Sequence, residues 1–456
     1  MPLMPVTDSM FLLVESREHP MHVGGLQLFQ KPEGAGPDYL HELRRDLLAD
    51  SNIRNLFRRR PARPVNPLGH IAWSTDTDLE LDYHFRHSAL PQPGRVRELL
   101  ELTSRWHSTL LDRHRPLWEI HLVEGLHDGR FAIYSKIHHA MMDGVSALRH
   151  LQGTLSDSPD DRDCPPPWGS RKPQPTVRRN RQLAGSIFEG AGKTLAQLRG
   201  MAPAAFKVAN EAFRERTLTL PMQAPKTMFN VPIGGARRFA AQSWSLDRVR
   251  GVATAAGVSR NDVVLAMCSG ALRDYLIEQS ALPDAPMIAM VPVSLRRRND
   301  PGEASGNHIG AMLCNLATDQ KDPAVRLATI HQSMRNGKRL FSELTPLQTL
   351  LLSAINVAPL GISPVPGFVN NTPPAFNLII SNVPGPRKQM YWNGAKLDGI
   401  YPASALLDGQ ALNITLTSNA DRLDFGITGC RRSVPHLQRI LTHLDTALAE
   451  LEAATA

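Results

Sequence analysis

Cysteine is scarce in this sequence: four residues in 456, Cys164, Cys268, Cys314 and Cys430, with no C-x-x-C pair among them. That scarcity and spacing signal neither a disulfide framework nor a cysteine-based zinc site, and they point to a reducing cytosol. Aromatic residues supply only 6% of the chain, which together with the lack of a recognised binding motif argues against nucleic acid as a partner. The segment Met1 to Asp8 lacks the basic stretch followed by an apolar stretch that a secretory signal requires, so export is not expected. No uninterrupted apolar run reaches the roughly 18 to 20 residues of a membrane-crossing helix. The nearest approach is Leu344 to Pro386, which contains no Asp, Glu, Lys or Arg but is broken by Pro346, Pro359, Pro364, Pro366, Pro373, Pro374, Pro384 and Pro386. A backbone so interrupted would leave unpaired N–H and C=O groups in hydrocarbon. This stretch is therefore expected to be buried, to line an apolar cavity, or to touch a membrane surface without crossing it. A G-x-S-x-G nucleophile elbow is also missing, which weakens a lipase or esterase reading.

What is present is ordinary globular composition, 42% apolar and 21% charged, with a net charge of +8 and a pI near 9.5. The basic surplus admits nucleic acid, a membrane surface or an anionic small substrate. The length exceeds one ordinary core, so two domains are expected. Residues 156–181 turn to Ser, Asp and Pro, then to Cys164-Pro165-Pro166-Pro167 and the basic run Arg171 to Arg181, the marks of a linker. A helical pattern from about Gln182 to Arg216 follows. The expected division is 1–155, a linker with a helical connector over 156–230, and 231–456, two packed domains with a cleft between them. Strands are expected near Met21 to Phe29, Trp118 to Val123, Phe131 to Ile137, Phe239 to Trp244, Met287 to Val293, Phe376 to Ile380, Leu412 to Thr417 and Leu423 to Ile427. Helices are expected after an N-cap at Thr7, and near Leu99 to Leu111, Asp247 to Ala256, Asp262 to Glu278 and Ala324 to Asn336. A last helix is expected after Ser433, with Pro435 in its first turn. The class is α/β (α+β), not a helical bundle.

The densest chemical constellation is Lys136-Ile137-His138-His139-Ala140-Met141-Met142-Asp143-Gly144. It follows a strand and precedes a helical pattern, so the histidines sit at a strand-to-helix turn. Strand alternation places His139 on the more apolar face, after Phe131, Ile133 and Ile137, and His138 on the more polar one, after Tyr134 and Lys136. A metal site would need ligands from elsewhere, and adjacent histidines rarely share one ion, so no metal is expected. Two histidines hydrogen-bonded in a core remain an alternative. The sharper reading is a catalytic base, because an imidazole in an apolar pocket stays neutral and able to accept a proton near neutral pH.

His138-His139-x-x-x-Asp143-Gly144 resembles the signature of the CoA-dependent acyltransferase superfamily, which includes chloramphenicol acetyltransferase and the condensation domains of peptide synthetases. With Pro20-Met21-His22-Val23-Gly24, Arg115-Pro116-Leu117-Trp118-Glu119, Asn261-Asp262 and Ser381-Asn382-Val383-Pro384-Gly385-Pro386, the chain resembles more closely the bacterial bifunctional wax ester synthase/diacylglycerol acyltransferases. The resemblance implies two chloramphenicol-acetyltransferase-like domains around a cleft or tunnel. It implies transfer of a long-chain acyl group from acyl-CoA to a fatty alcohol or to diacylglycerol, without an acyl-enzyme. On it, His139 is the general base, His138 supports it, and Asp143 shapes the loop that Gly144 permits to turn. Asn261 and Asp262 form a cleft wall, although the bland reading of this pair is a helix N-cap and first turn. Trp118 backs the active loop, with core packing as its bland reading. Ser381 and Asn382, following a strand, are the candidate oxyanion donors. No cofactor is implied, since acyl-CoA is a substrate. The expected location is cytoplasmic, at the periphery of membranes or lipid droplets, with Arg171 to Arg181 as the basic surface. A partner arginine for Asp143 is sought among Arg296, Arg297 and Arg298. Two other readings stay open: a condensation-type transferase with a carrier-protein donor, and a non-catalytic lipid-surface protein.

Overall fold

The structure, a computed structural model, describes residues 4–50, 52–62, 72–170, 219, 221–294, 309–344, 346–363 and 367–456. The first half runs α1 (Val6–Val14), β1 (His22–Gln30), α2 (Tyr39–Ala49), β2 (Arg59–Pro61), β3 (Trp73–Thr75), α3 (Leu81–His84), β4 (Phe85–Ala89), α4 (Val96–Ser108), β5 (Trp118–Glu124), β6 (Phe131–His138) and α5 (Gly144–Gly153). The second half runs β7 (Arg237–Ser245), α6 (Leu246–Ala255), α7 (Arg260–Glu278), β8 (Ile288–Ser294), β9 (Ile309–Asn315), α8 (Pro323–Glu343), α9 (Pro346–Ile362), α10 (Phe368–Asn371), β10 (Leu378–Val383), β11 (Tyr391–Trp392), β12 (Ala395–Ala403), β13 (Leu412–Asn419), β14 (Arg422–Cys430) and α11 (Arg439–Thr455).

Alternation along β6 decides where that strand lies. Its odd residues Phe131, Ile133 and Ile137 join Leu117, Trp118 and Ile120 in one core, while its even residues Ala132 and Tyr134 join Leu26, Leu28 and Leu99 in another. A strand with two apolar faces belongs inside a sheet covered on both sides. β6 accordingly sits between β1 and β5 in a six-stranded sheet of order β11-β12-β1-β6-β5-β4. The second sheet has the order β7-β14-β13-β10-β8-β9 and packs on α7 and α11 through Val263, Met267, Ile414, Phe425, Leu444 and Leu448.

Two features join the halves. β12 comes from the second half of the chain yet pairs antiparallel with β1 from Gly24↔Ala403 to Gln30↔Lys396, so the boundary expected at 231 does not partition the sheets. The other is the outer edge of β7. Its Arg237 and Phe239 N–H groups donate to the hydroxyls of Ser108 and Ser104 on α4, at 2.8 and 2.9 Å. Four residues of helix rise about 6 Å and two residues of strand about 6.6 Å, so serines at i and i+4 match alternate strand amides. Edge groups that would otherwise be unpaired are thereby satisfied.

Several expectations are corrected. Thr7 lies inside α1, which is preceded by Pro5 at the cap position. The last helix begins at Arg439, after Pro435, which lies in a run of turns. Residues 164–169, expected to lie in the linker, are buried: Trp168 has 0% exposure, and its carbonyl accepts the Arg54 N–H. The run Arg171 to Arg181 and the helical pattern to Arg216 lie outside the described residues. The chargeless stretch forms α9, α10 and β10; among the described residues no helix is long and apolar enough to cross a membrane.

Candidate active site

β6 ends at His138, and the chain turns through His139 to Met142 before α5 starts. The turn is held at three points. The His139 N–H donates to the Met21 carbonyl at 2.8 Å, the His138 N–H to the Leu117 carbonyl at 2.9 Å, and Met141 N–H back to the His138 carbonyl. Asp143 is the N-cap of α5: its carboxylate accepts from Ser146 N–H at 2.9 Å and from the Ser146 hydroxyl at 2.8 Å. Loop shaping is thus what Asp143 does in this geometry, by an ordinary helix cap. The arginines considered for it, Arg296, Arg297 and Arg298, lie outside the described residues. Gly144 opens α5 without left-handed backbone, and a side chain there would meet only Val23 at 3.7 Å, so the turn itself does not demand glycine.

The two histidines face different surroundings, as strand alternation implies. His138 is fully buried. Its Nδ1 accepts the Ala140 N–H at 3.0 Å, which leaves its proton on Nε2, 3.2 Å from Glu15 Oε1. His139 is half-buried, and its ring stacks on Phe11 of α1 with centroids 4.2 Å apart and planes 19° from parallel. Burial pushes the His139 imidazole below its ordinary pKa; the Asp143 charge and the residue's own backbone carbonyl oppose the shift, while His138 adds to it. The ring is therefore neutral near pH 7. Its Nδ1 is buried and has no hydrogen-bond partner among the described residues.

Behind the turn, the polar face of β6 continues into a buried network. Lys136, with 0% exposure, donates to the carbonyls of Trp106 and Thr109 at the end of α4 and lies 3.2 Å from Glu119. Burial outweighs that carboxylate and lowers the Lys136 pKa. Burial would raise Glu119, but His121, Lys136 and Arg86 bring it down to about 2. His22, opposite His138 in register, reaches the His107 carbonyl at 2.9 Å, and His107 Nδ1 bonds the Tyr134 hydroxyl at 2.8 Å. Burial holds His22 well below its ordinary pKa and pushes His107 down to about 3.

Trp118 is wholly buried one step from the turn, paired with Ile137, its indole N–H donating to the Phe57 carbonyl at 2.8 Å and its ring stacked on His84. It is core packing beside the turn that carries His138 and His139. On the opposite half, the cap of α7 is Ser259 and not Asn261. Asp262 closes a capping box with Ser259 and lies 2.8 Å from His331 Nδ1. Asn261 is half-buried, and its Oδ1 accepts from Asn382 Nδ2 at 3.3 Å, so these two sequence candidates meet. Ser381 and Asn382 lie within β10 and do not follow it. The next residue, Val383, packs with Val145 and Leu148 of α5 and with Ile400. The end of β10 is thereby brought beside the helix that His139 and Asp143 lead into.

Sequence reasoning missed Phe11, Glu15 and Arg113. Glu15 stands in the polar run Glu15-Ser16-Arg17-Glu18, which reads as a solvated turn, yet its side chain is 1% exposed. The one available signal was its place at the end of an apolar helix.

A family model described as "Wax ester synthase/diacylglycerol acyltransferase catalytic domain" matches residues 4–264, and one described as "WS/DGAT C-terminal domain" matches residues 305–452. The chain is 56% identical to a Mycobacterium tuberculosis protein named "Probable diacyglycerol O-acyltransferase tgs2", covering 100% of this chain and 99% of that protein. It is 43% identical to "O-acyltransferase WSD" of Acinetobacter baylyi, covering 100% and 98%. Among solved structures, a wax ester synthase/diacylglycerol acyltransferase from Marinobacter aquaeolei VT8 matches with a TM-score of 0.78 at 42% identity over 100% of both chains. The first condensation domain of the CDA synthetase matches with a TM-score of 0.59 at 16% identity over 99% of this chain and 96% of that one, a likeness of fold alone.

Proposed function

This chain belongs to the wax ester synthase/diacylglycerol acyltransferase family and is an O-acyltransferase, and we propose that it moves a long-chain acyl group from acyl-CoA to a fatty alcohol or a diacylglycerol with His139 as general base. The observation that carries the base assignment is the state of the ring: half-buried against Phe11, neutral near pH 7, with Nδ1 buried. A proton on Nδ1 leaves the Nε2 lone pair to take the proton of an acceptor hydroxyl. An alcohol is too weak an acid to ionise alone, and such general-base help is worth about 10²–10⁴-fold. The hydroxyl oxygen forms the new C–O bond at the thioester carbonyl, the C–S bond breaks, and coenzyme A leaves as a thiol with the proton returned from the imidazolium. Ser381 and Asn382, at the end of β10 beside α5, are the proposed donors to the developing oxyanion.

Contact with a membrane or lipid-droplet surface is a second part of the reading. It is supported by α9, whose polar Thr349, Ser353 and Asn356 turn inward while Ile355 remains 48% exposed. Ser353 and Asn356 hold the Ala311 backbone. Flotation with phospholipid vesicles tests it: Ile355→Glu should weaken co-flotation, and equal recovery would reject the role of α9.

Activity is tested by incubating the purified protein with palmitoyl-CoA and either hexadecanol or a diacylglycerol, following thiol release and ester formation. The His139→Ala protein, folded, should lose activity by about 10²–10⁴-fold. Near wild-type turnover would reject His139 as the base, and absence of thiol release from free acyl-CoA would favour a carrier-protein donor.

A further inference from the structure

The Glu15 carboxylate reaches both sides of His139. Its Oε1 accepts the Met21 N–H at 3.1 Å, and the Met21 carbonyl in turn holds the His139 N–H. The same Oε1 lies 3.2 Å from His138 Nε2, while the opposite nitrogen of that ring holds the Ala140 N–H. Arg113, arriving from the loop after α4, binds Oε2 through Nε at 3.2 Å and Nη2 at 3.0 Å, and its Nη2 also donates to the Leu12 carbonyl of α1 at 2.7 Å. Helix α1 is the one that carries Phe11 onto the His139 ring. A buried carboxylate is costly unless paired and hydrogen-bonded. Here every partner either flanks His139 or fixes the helix stacked on it.

We propose that the Arg113–Glu15 pair is a positioning device for the base: by keeping the His138 proton on Nε2 and tying down Met21, it fixes the residues on both sides of His139 and so the direction in which His139 Nε2 points. Glu15 and Arg113 are positioning residues that act through His138 and Met21. This inference rests on the His139 reading. If Glu15 is removed, the His138 ring no longer has an anion opposite Nε2. Its proton can shift to Nδ1, and the Ala140 N–H then loses its acceptor. A misplacement of about 1 Å at such a site costs about 10²-fold in rate.

The pair also predicts a pH signature. The titratable and charged groups facing Glu15 are His138 and Lys136 from β6 and Arg113 from the loop after α4, with Met21 N–H as a fixed donor. Burial alone would raise the Glu15 pKa, but His138, Met21 N–H and Arg113 hold it below the usual carboxylate range. Without the guanidinium the carboxyl takes its proton at a higher pH.

The experiment compares Glu15→Gln, Arg113→Met, His138→Ala and the Glu15→Gln/His138→Ala double variant in full-length protein, with palmitoyl-CoA and hexadecanol. Glu15→Gln should lower kcat by about 10- to 100-fold with KM for acyl-CoA unchanged, and the double variant should be no slower than the slower single. Arg113→Met should move the acid limb of kcat to higher pH. Arg113 is 44% exposed, so this variant keeps the test open if Glu15→Gln does not fold. Wild-type kcat in Glu15→Gln, losses that multiply in the double variant, or an unmoved limb in Arg113→Met would each overturn the proposal. His139→Ala separates the two readings: if it is inactive while Glu15→Gln is not, only the positioning device fails.

Discussion

Replacing Phe11 by alanine isolates the environment of His139 from its hydrogen bonds. The two rings stack at 4.2 Å with planes 19° apart, and Phe11 holds the His139 ring without touching its nitrogens through any polar group. Stacked pairs contribute about 0.5–1.5 kcal/mol beyond the area they bury. If that energy holds the ring in its reactive orientation, its loss lowers kcat/KM by about 2- to 13-fold at alkaline pH, where the imidazole is neutral in both proteins. The second effect is on protonation. Burial is the largest cause of the depressed His139 pKa. Opening the Phe11 side to water weakens that cause, so the pKa rises toward its ordinary value. As the proposed base, His139 would work when unprotonated, so activity should be present above its pKa and fade below. A raised pKa therefore moves the acid limb of kcat/KM to higher pH, and the deficit of Phe11→Ala should be larger at pH 6 than at pH 8. Initial rates of thiol release across pH 5–9 measure both effects, with Phe11→Leu as an apolar control that should retain most of the wild-type limb. A limb that stays in place, or moves to lower pH, would refute the argument that burial against Phe11 keeps His139 neutral.

Stability should also respond to acid. His107 has its folded pKa pushed down to about 3 and His150 to about 4, both by burial, while the unfolded chain protonates near 6.5. Stability is therefore complete above about pH 6.5 and is lost as the pH falls toward these values; at pH 5 each histidine costs about 2 kcal/mol, read as a lower urea midpoint than at pH 8. The Ser104→Ala and Ser108→Ala substitutions each leave a strand amide of β7 unpaired and should each cost about 1–3 kcal/mol by urea denaturation. Asp262→Ala removes one arm of the α7 capping box and should destabilise by about 0.5–2 kcal/mol. Asn261→Ala, which leaves the box intact, should change the melting temperature little, and a larger loss of stability in it than in Asp262→Ala would reverse the roles assigned to the pair.

Legibility in the sequence followed the range of the interactions involved. The parity of β6 and the turn after it could be read locally, because alternation along one strand separates His138 from His139 without reference to any partner. The cap of α7 was displaced from Asn261 to Ser259 because both residues carry a side-chain oxygen able to cap a helix, and only the Ser259 to Asp262 spacing closes a box. β12 was invisible: Lys396, Asp398, Gly399 and Pro402 break any strand pattern, and its pairing with β1 lies more than 360 residues away in sequence. Glu15 was missed for a similar reason, since its burial is created by Arg113 and His138, neither of them near it in the chain. The family resemblance named the loop but not the supports under it.

The passage of β12 into the first sheet has a consequence for biosynthesis. β1 lies between β6 and β12, so until residue 403 has been made its β12 edge stays uncovered. At about 5–20 residues per second, the ribosome needs on the order of 20–75 s to travel from the end of β1 to the end of β12. During that interval the nascent first half carries an open strand edge with apolar neighbours, the kind of surface that invites association between chains. The half of the chain that bears His139 is therefore the first to be synthesised but cannot be the first to be finished, and its completion waits for a strand from the far half of the chain.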